Sequence, residues 1–157
     1  MAGEQGGPGG PGPASTEAAV AAVREIAAEY GRSVRVSDDI GADQVSRRTD
    51  AGVFAVTDPG GALPHDAYVE LSGSPAVSVR LYADGDAKVV VDEVEVPDVP
   101  RESVPAFLRS VYGGLAYVKG RIFPPGYWLI VPLPGDETYK EMVPRDMLSP
   151  WLSARFR

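Results

Sequence analysis

The 157-residue sequence contains no cysteine. Disulfide bonds, thiolate metal sites and cysteine nucleophiles are therefore all excluded, and the absence of cysteine fits a reducing compartment. Histidine is scarce as well, because His65 is the only one. No motif surrounds His65, so we interpret it as a loop residue. Since no nucleophile is paired with a base, the sequence favours a protein that is not an enzyme.

The common cofactor motifs are missing too. The sequence has no GxxxxGK followed by Ser or Thr, no GxGxxG after a strand and no GxSxG. Asp84-Gly85-Asp86 matches the first positions of a calcium-binding loop, but Lys88 and a run of valines follow where that loop needs further acids. We therefore expect no cofactor and no metal ion.

Long apolar runs are also absent, so the sequence predicts no membrane-spanning helix. The N-terminus lacks the basic and apolar regions of a secretory signal, and we expect a cytoplasmic protein that does not bind membranes. The net charge is −7 at pH 7. This balance disfavours nucleic acid as a partner, because nonspecific binding needs Lys and Arg to neutralise phosphates.

The sequence predicts a disordered Gly/Pro-rich tail at residues 1–14 and a single α+β domain at residues 15–157. Ser15 or Thr16 can cap a helix over Glu17–Tyr30, where apolar residues recur at helical spacing. Alternating polar and apolar residues then predict short strands at Arg32–Ser37 and Ala67–Leu71, and a further short strand is predicted between them at Gly52–Thr57.

Two β-hairpin patterns follow, with a helix between them. The predicted strands are Ala76–Tyr82 and Lys88–Val96, joined by a two-residue loop that sets Val79 opposite Val90, and then Leu115–Phe123 and Tyr127–Leu133. The predicted helix begins near Ser103 and ends at Gly113-Gly114. Pro97–Pro100 should end the preceding strand, and two short helical pieces should follow in Asp136–Phe156. The predicted fold is an antiparallel sheet built largely from two hairpins, with N-terminal, middle and C-terminal helices packed on one face.

The most apolar strand is Tyr127–Leu133, which should be central in the sheet. Strand geometry leaves two alternatives for its buried face. Either Trp128 and Ile130 or Leu129 and Val131 face the core.

The two hairpin regions differ in charge. Six acidic residues lie between Asp84 and Asp98 against Lys88 alone, and four basic residues lie between Arg101 and Arg121 against Glu102 alone. Candidate partner-binding residues are therefore Asp92, Glu93 and Glu95 in the acidic region and Tyr117, Lys119 and Arg121 in the basic one. The acidic group would suit a basic protein partner. The basic group with its tyrosine could stack on a nucleic-acid base or bind an acidic peptide, and the net charge of the chain disfavours the base.

Three functional hypotheses follow. The first is a non-enzymatic protein-binding module of the immunity, chaperone or adaptor kind, which uses a charged, partly aromatic sheet surface. The second is a small-ligand binder or an enzyme with carboxylates, Tyr and Arg in a pocket between the sheet and the C-terminal segment. The third is a structural subunit of a larger assembly that docks through Trp151–Phe156.

Overall fold

The computed structural model describes residues 15–37, 66–123 and 125–157. Within these ranges the chain forms three α-helices and eight strands. Three predictions lie outside the described residues: the tail at 1–14, the strand at 52–57 and the loop position of His65.

Helix α1 spans Thr16–Glu29, as the sequence predicts to within one residue. The Oγ of Ser15 accepts a hydrogen bond from the Ala18 N–H at 3.1 Å, which satisfies one free donor of the first turn. Gly31 follows the helix at a φ of 67°, a conformation that glycine adopts without a steric penalty. One face of α1 is buried through residues spaced three or four apart, among them Ala19, Val23, Ile26 and Ala27.

The first sheet contains five antiparallel strands in sequential order. These are β1 (Val34–Ser37), β2 (Ala67–Leu71), β3 (Val77–Leu81), β4 (Asp86–Val91) and β5 (Val94–Pro100). Alternate residues of β2, β3 and β4 are buried, because one side of each pleated strand meets the core.

The predicted single strand Lys88–Val96 is wrong, because the chain reverses direction in its middle. Asp92 and Glu93 have φ values of 46° and 74°, and Val91 lies opposite Val94 across this turn. Positive φ at both central residues defines a type I′ turn, whose usual signal is Asn-Gly or Asp-Gly. An Asp-Glu pair between valines carries a weak turn signal, and the alternation around it resembles a continuous strand.

The loop between β3 and β4 also differs from the prediction. Tyr82 and Asp86 pair through a 2.9 Å backbone hydrogen bond, so three residues lie between this pair, with Gly85 at a φ of 107°. Val79 consequently lies opposite Val89 rather than Val90. A one-residue change of register moves side chains to the other face. Val89 and Val91 accordingly face the core together.

The segment Pro97–Pro100 does not end β5, which continues through it. The pairing of β4 with β5 shifts between Ala87 and Val89, and Asp98 has a φ of 58°. This irregularity is a bulge, and β5 is a terminal strand of its sheet. Proline is tolerated at both kinds of position because no ladder donor is required there.

The second sheet contains three antiparallel strands, β6 (Tyr117–Arg121), β7 (Gly126–Pro132) and β8 (Thr138–Val143). The central position predicted for β7 is confirmed. The prediction of helix alone in Asp136–Phe156 is wrong, because β8 occupies its first part. Proline at 144 and 150 favoured short helices, and two short helical pieces follow β8, a 3₁₀ turn (Arg145–Met147) and α3 (Pro150–Ser153).

The helices contact both sheets. Helix α2 spans Val104–Tyr112 and contacts α1 and β7, while α1 also contacts β2. Buried residues of both sheets and all three helices form one hydrophobic cluster, in which Phe107 and Leu108 are fully enclosed. Helix α3 contributes Trp151 and Leu152 to the same cluster. The predicted α+β class, with its N-terminal, middle and C-terminal helices, is confirmed.

Candidate functional site

One face of the second sheet is turned away from the core and carries all three candidate residues of the basic region, Tyr117, Lys119 and Arg121. Residues directly opposite each other on antiparallel strands share a face. Lys119 lies opposite Trp128, and Ile130 lies opposite both Tyr117 and Lys140. We call this surface the basic face. It consists of Tyr117, Lys119, Arg121, Trp128, Ile130, Thr138 and Lys140, which line a depression of about 570 Å³.

The structure shows which alternate side chains of β7 face the core. Leu129 and Val131 are each 1% exposed and belong to the core, whereas Trp128 is half-buried on the basic face. Ile130 is on the basic face as well but is only 6% exposed, so its neighbours on that face cover it. The tryptophan is therefore available at the surface and the isoleucine forms the floor.

The basic face has three cations and no carboxylate. Lys119, Arg121 and Lys140 are exposed, and every residue that lines the depression is neutral or basic. Within residues 15–37, 66–123 and 125–157, no carboxylate forms an ion pair with any of the three. Several positive charges on one face raise the local positive potential and attract anionic groups.

Two arginines lie over the aromatic rings of this face. The guanidinium of Arg121 is 5.5 Å from the Trp128 ring centre, and its Nε donates to the Phe123 carbonyl oxygen at 3.2 Å. The guanidinium of Arg157 is 5.0 Å from the Tyr117 ring centre, which adds a fourth cation at the edge of the face. A guanidinium stacked in this way is held in place while its remaining N–H groups can still bind a carboxylate.

The turn that follows β6 exposes two large apolar side chains. Ile122 is 92% exposed and Phe123 is 86% exposed. These two side chains, which we call the tip, come directly after Arg121 and therefore adjoin the cations of the basic face. Adjacent exposed apolar side chains next to polar groups are typical of interaction sites.

Asp92, a candidate from the acidic group, is bonded within the chain. Its Oδ1 accepts a hydrogen bond from the Ala76 N–H at 2.8 Å, and its Oδ2 accepts one from the Ser149 hydroxyl at 2.7 Å. The Ser149 Oγ in turn accepts from the Leu152 N–H at 3.1 Å and so caps α3. Asp92 thereby connects the β4–β5 turn to the start of β3 and to the C-terminal helix.

The other two acidic candidates are exposed near that turn. Glu93 is the second residue of the turn, and Glu95 lies on β5 with its Oε1 3.7 Å from the Lys88 Nζ. The structure thus brings Tyr117, Lys119 and Arg121 onto one surface, whereas Asp92, Glu93 and Glu95 occupy a turn and a terminal strand and differ in their contacts.

A second depression, which we call the groove, lies between the first sheet and the segment before α3. Its volume is about 940 Å³, and its polar lining includes Arg35, Tyr68, Glu70, Ser78, Glu93 and Asp146. The Arg35 Nη1 is 3.8 Å from the Glu70 Oε1. Both side chains are substantially exposed, and a surface ion pair of this kind contributes little to stability.

Three groups with shifted pKa values lie away from the basic face and the groove. Burial raises the pKa of Tyr112 to about 12, against a smaller lowering by Arg32. Burial, followed by the charge of Glu137, raises the pKa of Tyr139. Burial and then the charge of Asp98 raise the pKa of Glu141. Each shift favours the protonated form, and none of the three residues lines the basic face or the groove.

Comparison with known proteins gives no match to a family model, a curated protein or a solved structure. None of the helices in the described residues is long and apolar enough to cross a bilayer. Nor do those residues contain a group of three or more His, Cys, Asp or Glu side chains that could hold a metal ion.

Four members of the basic face were not among the candidates from the sequence, namely Trp128, Ile130, Thr138 and Lys140. Trp128 belonged to one of two alternatives for the buried side of its strand, and the sequence did not decide between them. Lys140 lies on β8, a strand that was not predicted from the sequence. Thr138, Tyr139 and Val143 belong to residue types that are enriched in strands, and this is the sequence signal that could have identified β8 and its lysine.

Proposed function

We propose that this chain is a non-enzymatic protein-binding module and that the basic face binds an acidic segment of its partner. One observation carries the proposal, namely an exposed sheet face with three cations, two aromatic rings and no carboxylate. Aromatic and arginine side chains contribute most of the binding energy in many protein interfaces. Complementary charge raises the association rate and makes binding more specific.

An acidic protein segment fits this face better than a nucleic acid does. A duplex carries one negative charge per ~1.7 Å along its axis and extends well beyond a small surface. It would therefore meet the acidic remainder of a chain whose net charge is −7. A short acidic segment contacts the basic face alone, and charges more than about 8 Å away are largely screened at physiological salt.

A basic partner for Asp92, Glu93 and Glu95 finds less support. Both carboxylate oxygens of Asp92 accept hydrogen bonds within the chain, and Glu95 lies close to Lys88. Binding a partner through these two residues would compete with contacts that already exist. The cations of the basic face have no such competing carboxylates in the described residues.

The test is a charge reversal with a matched control. The variant Lys119→Glu/Lys140→Glu changes two exposed cations of the basic face. The control Arg24→Glu/Arg80→Glu changes two exposed cations on α1 and β3, so both variants have the same net charge. Immobilised wild-type, variant and control proteins are used to capture proteins quantitatively from a lysate of the source cells.

We expect at least one protein to be retained by the wild type and the control and lost from the variant. Cross-linking to Lys119 or Lys140 should place an acidic segment of that protein on the basic face. The proposal is wrong if all three proteins retain the same set, or if only the control loses a protein.

A second candidate function is small-ligand binding in the groove. Its volume of about 940 Å³ and its combination of carboxylates with Tyr68 and Arg35 favour this candidate, because ligand pockets commonly have volumes of roughly 300–1,000 Å³ with a few polar groups. A thermal-shift screen of small metabolites tests it. A ligand that raises Tm for the wild type but not for Tyr68→Ala supports the groove, and a screen without hits counts against it.

A further inference from the structure

The exposed tip beside the basic face bears on the kind of partner that this face binds. Ile122 and Phe123 are 92% and 86% exposed, and neither the basic face nor the groove is lined by these two large apolar side chains. Apolar anchors beside a charged rim are a common arrangement in protein interfaces. The tip and the basic face are continuous through Arg121, which bonds to the Phe123 carbonyl.

We propose that the partner segment is an extended peptide that combines alternating acidic residues with an apolar block. The acidic residues lie on the basic face, and the apolar block packs on Ile122 and Phe123. This proposal rests on the proposed function and adds the sequence pattern that the partner must have.

The alternating pattern follows from strand geometry. Lys119 and Arg121 are two residues apart on β6, which corresponds to about 6.7 Å along a strand. An extended peptide repeats its side chains on one side at the same interval, so acids at every second position can meet successive cations. The distance from Tyr117 to Arg121 is four strand rises, or about 13 Å. About five acidic and spacer residues therefore cover the face before the apolar block reaches the tip.

A peptide explains the arrangement better than an anionic membrane does. An apolar tip flanked by cations can insert into a lipid surface, but the depression that Lys119, Trp128 and Lys140 line would then lie along the sheet, away from the inserted tip. A net charge of −7 also opposes approach to an anionic bilayer, since each basic residue gains only a modest attraction there.

Three fluorescent peptides test the proposal by anisotropy with the full chain, at low salt and at physiological salt. The first has glutamate at alternate positions with serine spacers. The second adds a C-terminal block of leucine and phenylalanine, and the third keeps this block but replaces every glutamate with serine. We expect the second peptide to bind the wild type at least ~10-fold more tightly than the first, because burial of apolar area adds to the electrostatic contribution.

The variant Ile122→Ser/Phe123→Ser should remove this difference and leave the affinity of the first peptide unchanged. Leu115→Ser is the matched control, because Leu115 is an exposed apolar residue, at 57%, outside the tip. It should keep the full difference. Circular dichroism on each variant checks that the fold is retained.

The results distinguish failure of the proposed function from failure of this inference. If the first peptide does not bind the wild type at low salt, the proposed function is wrong. If the first and second peptides bind equally well, the tip plays no part and this inference is overturned while the proposed function stands. If the wild type binds vesicles of equal phosphatidylcholine and phosphatidylserine through the tip and shows no preference for the second peptide, a membrane is the occupant and the inference is overturned.

Discussion

Replacing Asp92 with alanine should destabilise the fold far more than its position in a surface turn suggests. The variant removes two hydrogen bonds, at 2.8 Å from the Ala76 N–H and at 2.7 Å from the Ser149 hydroxyl. Bonds to a charged group are worth about 1.5–3 kcal/mol each, and the half-buried position of Asp92 favours the low end of that range. An alanine at a φ of 46° adds a backbone cost of about 1 kcal/mol. We therefore expect a loss of about 3–4 kcal/mol in the free energy of unfolding.

Urea denaturation followed by tryptophan fluorescence measures this loss. Glu93→Ala is the matched control, because Glu93 lies in the same turn at positive φ, and no hydrogen bond to its side chain is found in the described residues. It should change stability by less than about 0.5 kcal/mol, as substitutions away from structural contacts usually do. Asp92→Asn should fall between the two, since it keeps one acceptor oxygen and tolerates positive φ. A loss below about 1 kcal/mol for Asp92→Ala would refute the structural role of this carboxylate.

Two further predictions concern the second sheet. Leu129→Ala should lower the free energy of unfolding, measured by urea denaturation, by about 2–5 kcal/mol because it opens a cavity in the core. Trp128→Ala should lower it by less than half as much and should weaken partner binding. Equal stability losses would contradict the assigned faces. Glu141→Gln should raise Tm at pH 7, because the raised pKa of Glu141 marks a penalty on its charged form that develops as pH rises through that pKa. The gain should vanish in melts well below pH 4, where Glu141 is protonated in the folded and unfolded states alike, and a gain that is independent of pH would contradict this cause.

The fold class follows from local patterns, and the errors occur where a distant contact decides the structure. Helix α1 has its own cap and apolar periodicity, so its bounds were predicted closely. The turn at Asp92-Glu93 lacks the usual glycine or asparagine, and the bonds from Ala76 and Ser149 to Asp92 come from residues remote in sequence. No local pattern indicates those bonds.

The candidate site was predicted only in part, because local patterns do not reveal contacts between residues that are remote in sequence. Tyr117, Lys119 and Arg121 alternate on one strand, so their shared face could be inferred from the sequence. Lys140 joins them only through the pairing of β8 with β7, and pairing between strands cannot be inferred from alternation within one of them. The missing carboxylates on this face likewise become evident only after three strands are placed side by side.

The most direct test of the central claim is an NMR titration of the ¹⁵N-labelled chain with the alternating glutamate peptide. The chain contains two tryptophans, of which Trp128 lies on the basic face and Trp151 is 8% exposed in the core. We predict that the Trp128 indole N–H and the amides of β6 and β8 shift at low salt, while the Trp151 indole N–H does not. Shifts confined to the groove around Tyr68, or no shifts at low salt, would contradict the assignment of the basic face as the binding surface.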